Sequence, residues 1–338
     1  MNKKKILVTG GLGFIGSHTV VELQKEGFDV VIIDDLSNTR IEVLDGIYAI
    51  SKVRPEFVKI DLKEKELVAS FFEANKIDGV IHFAASKAVG ESVEKPLKYY
   101  ENNVSTLVYL LQGMKKNNVK HLIFSSSCTV YGQADELPIT ENAPVKKAES
   151  PYGNTKQIGE EIIQDVTKVE NLSAIALRYF NPIGGHESAL IGELPLGIPQ
   201  NLIPFVTQTA AGIREELSVF GDDYPTSDGT AVRDYIHVVD LAKAHISAMK
   251  RLLEGKNKTK MEFFNVGTGT GSSVLEVINT FQKVNDIEVK YKIVNRREGD
   301  VIAAYANTVL ANKELGWKAN LGLEEALASA WQWQLKQK

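Results

Sequence analysis

Short runs of apolar and β-branched residues recur through the first half of the chain, separated by longer stretches with helical spacing. Runs that are apolar at consecutive positions are typical of strands buried on both faces of a parallel sheet. The helical stretches begin near Phe14, Lys63, Leu97 and Tyr152. This alternation predicts an α/β fold, a doubly wound parallel sheet with helices on both faces. The predicted strands are Ile6–Thr9, Val30–Ile33, Phe57–Ile60, Gly79–Phe83, His121–Ser125 and Ala174–Arg178.

The pattern changes beyond Asn181. Residues 182–200 are rich in proline and glycine and predict a long irregular loop, which in a compact chain is usually functional. We therefore expect a first domain at 1–181 and a smaller mixed α/β domain at 182–338, with segments near 236–267 that could fold back onto the first domain. The elements predicted in the second part are helices at Leu202–Ala211, Val239–Leu253, Val274–Gln282 and Leu323–Leu335, and strands at Leu217–Phe220, Phe263–Val266 and Val289–Val294.

Composition excludes several classes of protein. The 338 residues carry 39 Lys plus Arg against 43 Asp plus Glu, and this mild acidity disfavours a nucleic-acid or anionic-membrane partner. The single cysteine, Cys128, excludes an intramolecular disulfide and a Cys-rich metal site. The histidines lack metal-ligand spacing, so we predict no metal. No run approaches the ~18 apolar residues of a membrane span, and the first residues lack a signal-peptide pattern, so we expect a cytoplasmic protein.

A glycine-rich turn follows the first predicted strand. Gly10, Gly13 and Gly16 recur at three-residue spacing, after a strand and at the start of a helix. Such glycines allow a tight turn, a close approach of the backbone to a pyrophosphate, and close packing of helix on strand. The pattern alone is also compatible with a plain turn. In this context it predicts a Rossmann-type domain that binds a dinucleotide at the helix N-terminus.

The next predicted strand ends at Asp34, 18 residues after Gly16. A carboxylate there can accept hydrogen bonds from the adenosine ribose and repel a 2′-phosphate, which favours NAD over NADP. The alternative is a solvated Asp at a strand end. Asp61 ends the following strand and could face the adenine, although a loop cap explains it better.

The strand that begins at His121 ends in three serines, Ser125 to Ser127, and a later helix opens with Tyr152 and Lys156. Their i, i+4 spacing places the tyrosine and lysine on one helix face. A free tyrosine has a pKa of about 10, and a cation ~5 Å away would lower it by roughly 2.4 units at an effective dielectric constant of ~20. We therefore expect Lys156 to lower the pKa of Tyr152, which would act as base while Ser127 hydrogen-bonds the same substrate oxygen.

Together these residues resemble the extended short-chain dehydrogenases/reductases and, more narrowly, the UDP-glucose 4-epimerases. The resemblance runs nearly end to end. Beyond the glycine turn, it is most specific in the segments Phe83–Ser92, Ser125–Gly132, Arg178–Pro182, Gly229–His237 and Arg296–Asp300.

The resemblance implies roles for individual residues, with Ser127, Tyr152 and Lys156 as the catalytic set. It implies that NAD contacts Gly10, Gly13, Phe14, Ile15, Gly16, Asp34, Asn38, Asp61, Leu62, Phe83, Ala84, Ala85, Lys87, Asn102, Ser125, Ser127, Tyr152, Lys156 and Phe180. It implies that the UDP-sugar contacts Lys87, Ser127, Tyr152, Asn181, Asn201, Leu202, Phe220, Arg233, Tyr235, Arg297, Asp300 and Ala304.

The implied reaction is reversible C4 epimerisation of UDP-galactose and UDP-glucose by transient hydride transfer to tightly bound NAD. Because the sugar must turn over in the pocket, affinity must come mostly from the UDP anchor. The resemblance also implies a homodimer. Apolar residues at helical spacing after Leu97 (Tyr99, Val104, Leu107, Leu111) could form its interface, but core packing explains them equally well.

Three alternatives stay open. An epimerase of another UDP-sugar, such as a glucuronate or a pentose, is compatible with the fold. Ala304 aligns with the position that limits the C2 substituent, so UDP-N-acetylhexosamines could also be accepted, unless the alignment shifts by one residue to Tyr305. A nucleotide-sugar 4,6-dehydratase is less favoured, because it would carry an Asp-Glu pair where this chain has Cys128 and Thr129. A non-catalytic NAD-sensing regulator is disfavoured by the intact catalytic set.

Overall fold

The computed structural model describes residues 3–297 and 300–337, so Glu298 and Gly299 of the segment Arg296–Asp300 lie outside the described residues. The strands in these residues are β1 (Lys5–Thr9), β2 (Asp29–Asp34), β3 (Glu56–Lys59), β4 (Gly79–His82), β5 (His121–Ser127), β6 (Ser173–Tyr179), β7 (Asn181–Ile183), β8 (Leu217–Phe220), β9 (Val232–Arg233), β10 (Tyr235–His237), β11 (Met261–Val266), β12 (Ser272–Ser273), β13 (Tyr291–Val294) and β14 (Ala303–Ala304). The α-helices are α1 (Phe14–Lys25), α2 (Val43–Ser51), α3 (Lys65–Ala74), α4 (Val89–Glu94), α5 (Pro96–Tyr100), α6 (Thr106–Lys116), α7 (Pro151–Val169), α8 (Leu202–Ala210), α9 (Val238–Leu253), α10 (Val274–Asn285), α11 (Val309–Leu315) and α12 (Leu323–Leu335).

Seven parallel strands form the main sheet, in the order β11-β6-β5-β4-β1-β2-β3. Successive side chains of a strand point to opposite faces, so Ile6 and Val8 of β1 enter one apolar core and Leu7 enters the other. Both cores are covered by helices, which explains why the strands are apolar at consecutive positions. The Rossmann-type parallel sheet predicted from the sequence is confirmed.

The last strand of this sheet comes from the second half of the chain. β11 pairs with β6 along its whole length, and α9, which precedes it, packs on α1. Leu241 and Met249 of α9 are fully buried in the same core as β1. The main sheet therefore combines residues from both sides of position 181.

The rest of the second half forms a smaller mixed α/β layer. Its short sheets pair β7 with β10, β9 with β12 and β14, and β8 with β13. Its own apolar core lies among α8, α10 and α12 and includes Val206, Phe281 and Trp331. The predicted loop at 182–200 begins with the short strand β7 and is otherwise irregular apart from an isolated bridge between Gly185 and Gly192.

Two further observations concern partners. No α-helix of the described residues is long and apolar enough to cross a bilayer. Of the apolar residues proposed for a dimer interface, Tyr99, Leu107 and Leu111 are buried within the chain and Val104 is partly buried. Core packing thus accounts for most of that apolar pattern.

Candidate active site

The carboxyl ends of the parallel strands form one wall of a cleft, and the smaller layer forms the other. Ligands of open α/β sheets bind beyond these strand ends. The residues singled out from the sequence come from the turns after β1, β2, β3, β4, β5 and β6, from the start of α7, and from the short strands and loops of the smaller layer.

The glycine turn packs so closely on neighbouring backbone that two of its positions have no room for a side chain. Gly10 has a φ of +67°, and a Cβ there would stand 2.8 Å from the backbone nitrogen of Ala84. A Cβ on Gly16 would stand 2.2 Å from the carbonyl oxygen of Gly10, so the start of α1 packs directly on the turn. Gly13 is the N-cap of α1, and the backbone N–H groups of Phe14 and Ile15 follow in its first turn. This cradle fits a dinucleotide pyrophosphate.

Asp34 stands at the end of β2 and is buried. Its carboxylate accepts hydrogen bonds from the backbone nitrogens of Leu12 at 3.1 Å and Leu36 at 3.0 Å. Burial raises its pKa, and these two hydrogen bonds oppose the increase. Asp34 therefore ties the glycine turn to the turn after β2, where Asn38 is exposed.

The turn after β3 shows a local cap. Asp61 accepts a hydrogen bond from the backbone nitrogen of Lys63 at 2.9 Å and forms an ion pair with its side chain at 3.2 Å. Leu62 beside it is buried. The structure therefore shows the loop cap that was the alternative role for Asp61, and the Asp61 side chain stays partly exposed.

The turn after β4 lies beside the glycine turn. The Phe83 nitrogen donates to the Thr9 carbonyl at 3.0 Å, and the Phe83 ring lies 4.7 Å from the His245 ring. Ala84 and Ala85 follow, both partly buried. Asn102 donates to the Ser86 hydroxyl at 3.2 Å from a π-helical turn at Glu101–Ser105. Such turns often occur at functional sites.

The predicted catalytic residues lie together at the end of β5. The Ser150 hydroxyl caps α7 by accepting from the Gly153 nitrogen at 3.1 Å, which sets the direction of the first turn. Tyr152 and Lys156 share one face of α7, and the Lys156 ammonium lies 5.8 Å from the centre of the Tyr152 ring. The ammonium donates to the carbonyl of Ser125 at 2.7 Å and is almost fully buried.

The pKa of Tyr152 differs from the value that the sequence led us to expect. Burial raises the pKa of Tyr152 to about 12, and a hydrogen bond with Ser127 opposes the increase. Burial lowers the pKa of Lys156 to about 8, against the effect of Glu160. In the chain by itself the Tyr152 pKa is thus raised, where a decrease was expected from Lys156. The ammonium donates to the Ser125 carbonyl, and loss of water at the phenol outweighs the other effects on its pKa.

The end of β6 completes this wall of the cleft. The Tyr179 hydroxyl is hydrogen-bonded to the Ser125 hydroxyl. Phe180 follows it and is buried, with its nitrogen donating to the Val266 carbonyl at 3.2 Å. Sequence analysis did not single out Tyr179, although it lies inside the segment Arg178–Pro182 and a hydroxyl next to two implied ligands was a usable signal.

Charged and polar groups of the opposite wall are paired with one another. The Arg233 guanidinium forms an ion pair with Asp300, and the Arg297 guanidinium lies 4.4 Å from the centre of the Phe220 ring. Asn201 donates to Glu193 at 2.6 Å. Asn181 is exposed, whereas Tyr235 is buried and its pKa is raised to about 12 by burial.

Glu193 links the two walls of the cleft. Its carboxylate accepts from Asn201 of the smaller layer and forms an ion pair of 3.1 Å with Lys87 of the sheet wall. Leu202, next to Asn201, starts α8 and is partly buried. Sequence analysis missed Glu193, because a lone Glu in an irregular loop carries no signal beyond the loop itself.

Ala304 is the last residue of β14, and Tyr305 follows it; the two side chains have different neighbours. Ala304 is buried in a cluster with Val130 and Phe180, next to the catalytic wall. Tyr305 instead lies against Gly271, where an added Cβ would stand 3.0 Å from its ring. Ala304 is therefore the one of the two that belongs to the same buried cluster as Phe180.

The short 3₁₀ turn after Ser127 contains Cys128 and Thr129. Burial raises the pKa of the Cys128 thiol to about 12, so it is neither an acid nor a base near neutral pH. Among the residues that the structure describes, no three His, Cys, Asp or Glu side chains are arranged to hold a metal.

Comparison with known proteins agrees with this geometry. Residues 7–330 match the family model of GDP-mannose 4,6 dehydratase. The chain is 51% identical over 330 residues to UDP-glucose 4-epimerase of Bacillus subtilis, which covers 97% of this chain and 96% of the relative. It superimposes with a TM-score of 0.95 on UDP-glucose 4-epimerase from Bifidobacterium longum in complex with NAD+ and UDP, at 47% identity and 98% coverage of both chains. A second such structure, from Stenotrophomonas maltophila with NAD and formylated UDP-arabinopyranose, gives 0.95 at 45% identity and covers 99% of this chain and 98% of the other. The chain therefore belongs to the UDP-glucose 4-epimerases of the extended short-chain dehydrogenase/reductase type.

Proposed function

We propose that this chain is an isomerase that interconverts UDP-galactose and UDP-glucose at C4, with NAD as its tightly bound cofactor. The observation that carries the proposal is the set of Ser127, Tyr152 and Lys156 at a strand end beside the glycine turn, with Ser127 and Lys156 buried and Tyr152 partly buried. Relatives of 51% identity with the same reaction in their name support it.

The sheet wall would hold NAD. The turn at Gly10–Gly16 fits the pyrophosphate, Asp34 lies where the adenosine ribose would be, and Phe83, Asn102 and Phe180 line the path towards Tyr152. Bound NAD supplies a reversible hydride acceptor and a positive charge near Tyr152. That charge would supply the decrease in the Tyr152 pKa that the chain alone does not provide.

The proton is held and moved by the chain itself. Tyr152 would accept the proton of the sugar C4 hydroxyl and return it, while the Ser127 hydroxyl holds the same oxygen. The Lys156 ammonium would stabilise the phenolate, and its bond to the Ser125 carbonyl fixes its position. Only the phenolate form of Tyr152 can accept that proton, and bound NAD and Lys156 would together favour this form.

The smaller layer would hold the UDP group. Arg233 and Arg297 are suited to a diphosphate, because a guanidinium forms bidentate, charge-assisted hydrogen bonds with phosphate oxygens. In the structure these cations are held by Asp300 and Phe220, so binding would exchange a carboxylate for a phosphate on a preformed guanidinium. Remaining contacts are proposed for Lys87, Asn181, Asn201, Leu202 and Tyr235.

The sugar pocket is proposed to accept an N-acetyl group at C2. Ala304 is small and belongs to the same buried cluster as Phe180, and Tyr305 lies against Gly271. The chain would then also epimerise UDP-N-acetylglucosamine and UDP-N-acetylgalactosamine.

The alternatives are less well supported. A 4,6-dehydratase needs an acid and a base where this chain has Cys128 and Thr129, and the pKa of the Cys128 thiol is far from neutral. A regulator would not need the buried catalytic set. We further propose a division at residue 181 into an NAD-binding and a mainly UDP-sugar-binding domain, a homodimer, and, in keeping with the single cysteine, a cytoplasmic location.

A direct test is to follow UDP-galactose by NMR with purified protein and no added cofactor. Formation of UDP-glucose would demonstrate C4 epimerisation and co-purified NAD together. If no product forms, the assay is repeated with added NAD+. Absence of product from both UDP-galactose and the N-acetylated pair would refute the proposal and favour another UDP-sugar.

A further inference from the structure

A buried ion pair lies one helical turn beyond the catalytic lysine. Glu160 of α7 accepts from the Arg178 guanidinium at 2.9 Å and 2.6 Å, and from the Ser126 hydroxyl at 2.5 Å. Both side chains of the pair are less than a tenth exposed, at 6% for Arg178 and 7% for Glu160. The Glu160 carboxylate thus accepts three hydrogen bonds from side chains of two strands, β5 and β6.

A third donor of Arg178 is also paired. Its guanidinium donates to the Tyr131 hydroxyl at 3.0 Å, and that hydroxyl donates to the Asn265 side chain at 2.7 Å. The guanidinium lies between the rings of Tyr131 and Phe263, at 5.0 Å and 4.5 Å from their centres. The pair therefore belongs to a closed polar network that fixes the position and the charge of Glu160.

A contribution to the stability of the fold does not explain this ion pair. A buried pair of charges often stabilises the folded state less than apolar residues of the same size would. α7 already has an apolar anchor, since Ile163 is fully buried in the sheet core. A role at the neighbouring site accounts for the pair better.

The catalytic residues and Glu160 share one face of α7. Tyr152, Lys156 and Glu160 follow one another at i, i+4 and i+8. The titratable and charged groups near Lys156 are Tyr152 and Glu160 from its own helix and His82 from β4, with Arg178 of β6 paired to Glu160. Of these, Glu160 is the one that carries a negative charge in the resting protein.

We propose that Glu160, locked by Arg178, is a positioning residue that keeps Lys156 cationic in its desolvated pocket and orients the face of α7 on which Tyr152 lies. This inference rests on the proposed function, but the charge of Lys156 can be measured without turnover. Burial disfavours the charged form of Lys156, and Coulomb attraction to the Glu160 carboxylate at low dielectric favours it.

The test measures the titration of Lys156 in the full chain, labelled with ¹³C at lysine Cε. The resonance of Lys156 is identified by its absence in Lys156→Arg. In Glu160→Gln we expect the Lys156 pKa to fall by about one unit, since the neighbouring charge is lost while size and most hydrogen bonds are kept. In Glu160→Asp, which keeps the charge, it should move much less.

The matched control is Glu161→Gln, which makes the same change at the next residue, on the exposed side of α7. It should leave the Lys156 titration in place. If Glu160→Gln folds poorly, the paired variant Glu160→Gln with Arg178→Met leaves no uncompensated buried charge, and the same titration is read there. An unchanged Lys156 pKa in the folded Glu160 variant, or an equal shift in Glu161→Gln, would overturn the proposal.

Activity gives a second readout. The loss of kcat at alkaline pH should move about one pH unit towards acid in Glu160→Gln, whereas KM for UDP-galactose should change less. If no form of the protein, wild type included, turns over UDP-galactose, the proposed function fails and the lysine titration still decides this inference. If kcat fell equally at every pH and the alkaline limb of the pH profile did not shift, the role of Glu160 would be purely structural.

Discussion

Lys156 and Arg233 are cations on opposite walls of one cleft, and they are held in different ways. Lys156 is 4% exposed and donates to a backbone carbonyl of the rigid strand β5. Arg233 is partly exposed, lies on the two-residue strand β9 and is paired with Asp300. On the sheet wall, Lys156 thus has a fixed position, and its ammonium group has lost most of its contact with water. On the opposite wall Arg233 is partly exposed and paired, and in the proposed function a phosphate would replace its partner.

The difference has a general lesson about such sites. A group that must act on a proton needs an altered pKa, and burial, nearby charges and hydrogen bonds among well-packed elements alter it. A group that only anchors a diphosphate needs charge and reach, which a partly exposed loop provides. The four predictions below test this contrast in order of decreasing expected effect.

The largest effect is expected for Tyr152→Phe. Removal of the base should lower kcat for UDP-galactose by about 10³-fold or more, because general base catalysis is typically worth 10² to 10⁴ and the phenol is also held by Ser127. The midpoint of thermal unfolding should change little. Tyr48→Phe, on the exposed face of α2, is the control. An unchanged kcat would exclude Tyr152 as the base.

Lys156→Met should separate activity from stability. The folded pKa of Lys156 is lowered from its ordinary 10.5 to about 8, so between these values the unfolded chain binds the proton and the folded chain does not. Wild-type stability should therefore rise with pH across this window, by about 3 kcal/mol relative to the variant. Denaturant unfolding at pH 7.5, 9 and 10.5 measures it. Parallel pH dependences of the two proteins would contradict the burial of a charged lysine, and the variant should be inactive throughout.

Arg233→Ala tests the binding wall. Loss of one charge-assisted contact to the diphosphate should raise KM for UDP-galactose by about 10- to 100-fold and change kcat less. Arg54→Ala is matched to it, because Arg54 forms an exposed ion pair of 2.9 Å with Asp45 away from the cleft. If kcat fell and KM stayed constant, Arg233 would belong to the catalytic wall instead.

The smallest effect concerns selectivity. Ala304→Tyr should lower activity on UDP-N-acetylgalactosamine about ten-fold relative to UDP-galactose, because the ring would fill the space for the C2 substituent. Tyr305→Ala should leave the ratio of the two activities unchanged, since Tyr305 lies against Gly271. The reverse result would mean that Tyr305 lines the pocket.

Local patterns predicted much of the fold. The strand β8 was predicted at Leu217–Phe220, where it lies, and α12 at Leu323–Leu335, where it lies. The helix α2 was missed because only Leu44 and Ile47 of its nine residues are buried, too few to make a clear pattern. The strands β9, β12 and β14 were missed because each has only two residues, too few to show the alternation of a strand. They form only by pairing with segments that are distant in sequence.

The sequence by itself determined the features that depend on spacing along the chain. These are the parallel sheet, the glycine turn at Gly10–Gly16, and the shared helix face of Tyr152 and Lys156, because the periods of strand and helix convert spacing into direction. Tertiary structure decided which groups meet: Lys156 with the Ser125 carbonyl, Glu160 with Arg178, and Arg233 with Asp300. It also reversed the expected effect on the Tyr152 pKa. Desolvation and pairing depend on atoms far apart in sequence, and only packing brings those atoms together.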